Sequence, residues 1–132
     1  LNLRIDRIFF CAAHYLRGHG KCGRVHGHTY AIRDLKVFGN VGENGMIVDF
    51  GELKAVIKHH FDHKLIVPKE DEKKWRKALK DLNLPLDIVA IDGQPTVENI
   101  AKEIYKLLRE YYPDCYFTFA LYEGPNEGVY VG

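Results

Sequence analysis

From residue 26 to residue 38, apolar and polar residues alternate as in a strand with one buried face, but the alternation changes parity midway. Tyr30 and Ile32 share one parity, whereas Leu35 and Val37 take the other. Successive side chains of a strand point to opposite faces, so a regular strand cannot bury both pairs on one side. One extra residue near Arg33 and Asp34 restores the pattern, and the spacing predicts a β-bulge there. A long, half-buried strand of this kind commits the chain to a sheet.

The remaining segments supply its partners. Residues 3–12 alternate at Leu3 and Ile5, then run apolar through Ile8, Phe9 and Phe10, and read as a strand. Residues 14–24 are rich in Gly and charge and read as a loop. A turn at 42–45 leads to a short strand at 46–48. Asp49 then caps a helix, with Glu52 three residues on and Leu53, Ile57 and Phe61 along one face. Residues 68–81 fit a helix with Trp75, Leu79 and Leu82 in one stripe and a solvated charged face, and 83–92 read as a loop with an apolar patch at 88–91. A longer helix starts at Thr96, presents Ile100, Ile104, Leu107 and Leu108 on one side, and ends before Pro113. Residues 116–122 alternate as a strand, and 129–131 pair back across a Gly-rich turn. Two long hairpins separated by helices imply an α+β domain with helices on one face of the sheet.

At 132 residues, with no internal repeat or linker, one domain accounts for the chain. Lys plus Arg total 19 against 18 for Asp plus Glu, which leaves no basic stripe for nucleic acid and no polybasic membrane anchor. No stretch reads as a bilayer span or signal peptide, and the three cysteines have no disulfide-framework spacing, so a reducing, cytoplasmic setting is the expectation.

The chemistry concentrates around His26-Gly27-His28. Residues two apart on a strand share a face, so these imidazoles aim at one point, and His14, at the end of the first strand, can supply a third. Three neutral imidazoles hold Zn²⁺ and leave a fourth position open, as catalytic zinc sites do. Cys22 is either a fourth ligand closing the site or a thiol whose pKa is lowered by Lys21, Arg24 and a metal. Cys11 and Cys115 read as small core residues. Asp62-His63 pairs a carboxylate with an imidazole, a combination suited to proton transfer, whereas His19, His59 and His60 read as bystanders. Thr96, followed by Glu98 and Asn99, caps a helix. Glu123, at the end of an apolar strand, is placed to accept two parallel N–H bonds from a guanidine-like edge.

Taken in order, these pieces resemble one family. Phe10-Cys11-Ala12-Ala13-His14, Cys22-Gly23-Arg24-Val25-His26-Gly27-His28, Gly45-Met46-Ile47-Val48-Asp49-Phe50, Asp62-His63-Lys64, Pro95-Thr96-Val97-Glu98-Asn99 and Leu121-Tyr122-Glu123 are similar to the motifs of the 6-pyruvoyl-tetrahydropterin and 6-carboxytetrahydropterin synthases. The resemblance implies a T-fold: an antiparallel four-stranded sheet with helices on one face, closed into a barrel by oligomerisation, as a trimer or a dimer of trimers. It implies zinc on His14, His26 and His28, Cys22 as the catalytic thiol, and Asp62 and His63 as proton-transfer partners. Glu123 would anchor the pterin, with Thr96 near the same ring.

The short spacing from Cys22 to His26 resembles the microbial 6-carboxytetrahydropterin synthases, which make the precursor of the 7-deazaguanine nucleosides queuosine and archaeosine. The expected reaction converts 7,8-dihydroneopterin triphosphate to 6-carboxy-5,6,7,8-tetrahydropterin with loss of acetaldehyde and triphosphate. Arg17, Lys21 and Arg24 are candidates to meet the triphosphate. The alternatives are a pyruvoyl-type synthase that only eliminates triphosphate, and a non-catalytic zinc- and pterin-binding T-fold protein. Two departures stand out. Val97 replaces a hydroxyl residue frequent in relatives, and residues 68–93 are longer than in compact relatives and read as a helical insertion near the mouth.

Overall fold

The computed structural model describes residues 1–132. Nine main elements follow in order: β1 (Asn2–His14), β2 (His26–Phe38), α1 (Phe50–Phe61), β3 (Lys64–Pro68), α2 (Glu72–Leu82), β4 (Asp87–Ile91), α3 (Val97–Tyr111), β5 (Tyr116–Tyr122) and β6 (Gly128–Val131). Single 3-10 turns occupy Gly20–Gly23 and Lys69–Asp71. No helix is long and apolar enough to cross a membrane.

The strands form one six-stranded sheet in the order β4-β3-β1-β2-β5-β6. This corrects the expected four-stranded antiparallel sheet. Four strands are antiparallel, but β3 joins β1, and β4 joins β3, in parallel. The physical reason is burial on both sides. Leu65, Ile66 and Val67 are all buried, so β3 has no alternation to betray it, as is usual for parallel strands. The apolar run at 88–91, read as a loop, is β4 for the same reason. The short strand expected at 46–48 is absent. There a turn is closed by the Gly42 N–H donating to the Met46 carbonyl at 2.8 Å, and Val48 packs into the core as irregular chain.

The bulge is where the alternation places it, since β2 pairs Arg33 with Ala120 of β5 but Lys36 with Thr118, a slip of one residue. Asp34 takes up the extra residue at φ 48°, a left-handed conformation that Asp tolerates better than most residues. Its carboxylate accepts from Arg4 at 2.6 Å. β1 breaks parity opposite this point, with Ile5 and then Ile8 buried, so the register between β1 and β2 is unbroken. Both strands of the hairpin therefore switch faces together.

α1 and α3 cover one face. Asp49 caps α1 by accepting from the Glu52 N–H at 2.8 Å. Leu53, Ile57 and Phe61 are fully buried, each contributing about 1.5–3 kcal/mol by removal from water. The helices do not all lie on this face. Ile66 of β3 joins this core, whereas Leu65 and Val67, of the opposite parity, pack with Tyr15 and Trp75. α2 thus covers the other side of the β3–β4 extension. It buries no residue fully, and Leu82 is exposed rather than part of its packed stripe.

Candidate metal centre

The β1–β2 register sets His14 opposite His26 and Ala12 opposite His28. The three histidines continue the core-facing parity of Phe10 and Tyr30 to the end of the hairpin. One ring nitrogen from each lies within 4.8 Å of the others. His14 is 1% exposed, and His26 and His28 are half-buried.

Hydrogen bonding decides which ring nitrogens carry protons. His14 Nδ1 is 2.7 Å from the Pro95 carbonyl, and His26 Nδ1 is 2.7 Å from the Arg24 carbonyl. A carbonyl only accepts, so both Nδ1 atoms donate and both Nε2 atoms present lone pairs. These two Nε2 atoms are 3.0 Å apart. Two facing acceptors repel, and a cation between them removes the conflict. Nitrogen ligands at about 2.0–2.1 Å from a tetrahedral zinc are about 3.3 Å apart, close to this spacing. Metal-bound histidines characteristically donate their second N–H to a carbonyl in this way. Burial pushes His14 below the ordinary imidazole value, which keeps it in the neutral form a metal requires. The residues therefore fit zinc: three imidazoles, oriented, with room for a fourth ligand.

The surroundings brace the histidines. The Tyr30 hydroxyl is 3.2 Å from His14 Nδ1, its ring stacks on Phe10 at 5.0 Å, and burial pushes its pKa up, so it stays neutral. Thr96 caps α3 by accepting from the Asn99 N–H at 3.2 Å, and the residue before it supplies the carbonyl that holds His14. The half-buried Glu123 follows β5, with Oε2 4.0 Å from His28 Nε2.

Asp62 and His63 form a second cluster. Asp62 Oδ1 accepts from the Cys11 N–H at 2.8 Å, and its Oδ2 faces His63 Nδ1 at 2.8 Å. The His63 N–H donates to the Cys11 carbonyl at 2.6 Å, with His63 at φ 59°. The pair is thereby clipped to the edge of β1. Cys11 holds the Asp62 carboxyl below the usual carboxylate range, with the His63 ring adding to the effect. The His63 ring lines a hollow of about 440 Å³ with Cys11, Gly27 and Thr29. Those residues have the parity opposite to His26 and His28, so within one chain the pair faces away from the histidines.

Cys22 is exposed in the 3-10 turn, its N–H donating to the His19 carbonyl at 3.0 Å. Cys115 is buried as expected, but Cys11 is exposed, because it falls on the sheet face that the helices leave bare. His19, His59 and His60 are exposed and join neither cluster. Lys21 and Arg24 are exposed, whereas Arg17 is engaged with the Asp71 carboxylate at 2.8 Å and is not a free cation. Sequence reasoning missed the carbonyls of Pro95 and Arg24, because a main-chain acceptor has no residue-type signature. It also missed Asp71, which looked like one more acid in a charged run.

Comparison with known proteins agrees with this geometry. The chain is 34% identical over 129 residues to the 6-carboxy-5,6,7,8-tetrahydropterin synthase of Rickettsia bellii, covering 91% of this chain and 92% of that one. It is 30% identical over 133 residues to the protein of the same name from Haemophilus influenzae, covering 93% and 94%. Among solved structures, the 6-pyruvoyl tetrahydropterin synthase of Plasmodium vivax superposes with a TM-score of 0.67 at 21% identity, over 99% of this chain and 96% of that one. An uncharacterised protein from Wolinella succinogenes gives 0.71 at 19% identity, over 99% and 98%. The sequence profile of the 6-pyruvoyl tetrahydropterin synthases matches residues 5–131, and the chain belongs to that family.

Proposed function

We propose that this chain is a zinc-dependent 6-carboxy-5,6,7,8-tetrahydropterin synthase acting on 7,8-dihydroneopterin triphosphate in the cytoplasm, on the route to 7-deazaguanine nucleosides. The observation that carries the reading is the pair of facing Nε2 lone pairs on His14 and His26, each fixed by a carbonyl behind it, with His28 completing the set. The names of the relatives similar over most of the chain favour the carboxy product over the pyruvoyl one.

Zinc bound to His14, His26 and His28 supplies Lewis-acid polarisation of substrate oxygens. Glu123 accepts the amino and ring N–H edge of the pterin through two parallel charge-assisted bonds, with Thr96 beside the ring. Cys22, as thiolate, removes a proton from the substrate side chain. His63 moves protons on the opposite side, and Asp62 orients its ring and stabilises its charged form. Loss of triphosphate and release of acetaldehyde complete the conversion.

Asp62 and His63 face away from the histidines of their own chain, so in this reading they serve the site of a neighbouring copy. The sheet edges support such an assembly. β3 pairs only Ala12 and Ala13 of β1, leaving the earlier part of that edge without a strand neighbour, and β6 is the other open edge. Closure of these edges between copies gives a homo-oligomeric T-fold barrel, a trimer or a dimer of trimers. Each chain is then one domain, with residues 68–93, which hold α2 and β4, as an insertion at the mouth.

The test is product identification. Zinc-loaded protein given 7,8-dihydroneopterin triphosphate is expected to yield 6-carboxytetrahydropterin and acetaldehyde by mass spectrometry. A 6-pyruvoyl product reassigns the reaction to triphosphate elimination alone, and pterin binding without turnover makes the chain a binding protein.

A further inference from the structure

Only two polar side chains are buried in this fold: His14, in the metal centre, and Asp71, 4% exposed. A buried carboxylate is costly unless it is fully engaged, so its partners show what the fold uses it for. All three donated bonds converge on Oδ2. The Tyr15 hydroxyl donates at 2.6 Å, and Arg17 donates from Nε at 3.3 Å and Nη2 at 2.8 Å. Trp75 of α2 in turn donates Nε1–H to the Tyr15 hydroxyl at 2.8 Å. These contacts hold the Asp71 carboxyl below the usual carboxylate range, so it is charged at neutral pH.

Tyr15 and Arg17 flank Leu16. The Leu16 N–H donates to the Cys22 carbonyl at 2.7 Å, and the Leu16 carbonyl accepts from the His19 N–H at 3.3 Å. One carboxylate therefore grips both neighbours of the residue that pins Cys22. Docking α2 onto the sheet does not require this arrangement, because Trp75 already packs with Tyr15, Leu65 and Val67. Two of the three bonds go instead to Arg17, an exposed loop residue that adds nothing to the core. Beside the grip lies a cavity of about 400 Å³ lined by Arg17, Gly23, Val25, Lys74 and Trp75, open space into which the released loop can shift.

We infer that Asp71 is a positioning residue for Cys22, acting through Tyr15, Arg17 and the Leu16–Cys22 hydrogen bond, and that the 68–93 segment exists in part to present this carboxylate to the thiol loop. The inference rests on the reading of Cys22 as the working thiol.

The test uses Asp71→Asn in the zinc-loaded protein, read by amide hydrogen exchange and by steady-state kinetics. Exchange over residues 16–24 is expected to rise at least about tenfold with the core strands unchanged. The kcat is expected to fall by about 10²-fold, with KM within about twofold, as for a misplaced group that does not bind substrate. Should Asp71→Asn fold poorly, Arg17→Gln loosens the same tether from an exposed position and is expected to give the same exchange pattern with a smaller loss of kcat. Unchanged exchange over 16–24 overturns the inference. So does a loosened loop with wild-type kcat, or loss of protection spread across the whole chain. Exchange is measured without substrate, so it stands apart from the Cys22 reading, which fails separately if Cys22→Ala keeps full turnover.

Discussion

Asp62 is the residue whose replacement best separates stability from chemistry. It makes two bonds of different purpose: one to the Cys11 N–H at 2.8 Å, which clips α1 to the edge of β1, and one to His63 Nδ1 at 2.8 Å. A hydrogen bond to a charged acceptor contributes about 1.5–3 kcal/mol when shielded. The Asp62 side chain is 31% exposed, so screening reduces this to about 1–2 kcal/mol. Asp62→Ala leaves the Cys11 N–H without its acceptor and is expected to cost that amount, a fall in Tm of about 3–8 °C for a chain of this size. Asp62→Asn keeps an oxygen for Cys11 and is expected to cost about 0.5 kcal/mol.

The chemistry follows the opposite order of sensitivity. An amide N–H facing His63 Nδ1 forces the proton onto the other ring nitrogen, so Asp62→Asn is expected to lower kcat by about 10²–10⁴-fold despite a nearly normal Tm. The pH dependence has a definite sign. The fold depresses the Asp62 pKa, so its contribution is complete above the unfolded value of about 3.9 and is lost as pH falls through the lower folded value. Urea melts of wild type and Asp62→Asn are expected to differ at pH 7 and converge at strongly acid pH. Turnover of Asp62→Asn within about threefold of wild type would refute the assigned role of the pair.

Two further changes probe the binding side of the site. Glu123→Gln is expected to lower kcat/KM by about 10²-fold, because a neutral amide offers one acceptor where the pterin edge needs two, while zinc content, measured by elemental analysis, stays at the wild-type level. Thr96→Val removes the acceptor for the Asn99 N–H at 3.2 Å and is expected to cost about 1 kcal/mol in urea unfolding, with Thr96→Ser retaining most of it. Because the neighbouring Pro95 carbonyl orients His14, Thr96→Val is also expected to weaken zinc binding by up to about tenfold in a chelator competition.

Features with a period were legible in the sequence, and features made by main-chain atoms were not. The parity change between Ile32 and Leu35 located the bulge to the residue, because a strand with one wet face records every slip. His26 and His28 were legible for the same reason, and Asp49 and Thr96 announced their helices by cap chemistry. β3 and β4 were missed because a strand covered on both faces has no alternation. Their place beside β1 depends on a long crossover that no local pattern encodes. Arg17 looked like a free cation because the sequence does not reveal that Asp71 sits behind it. The backing of His14 by a residue 81 positions away is likewise a product of the assembled fold.

The central claim is an open, three-histidine zinc site with Cys22 free to act as a thiol. Zinc content and turnover measured side by side on wild type and Cys22→Ala test it most directly. The account predicts equal zinc per chain in both proteins, with turnover abolished in the variant. Loss of zinc along with the thiol would contradict it, because Cys22 would then be a fourth ligand and the site closed.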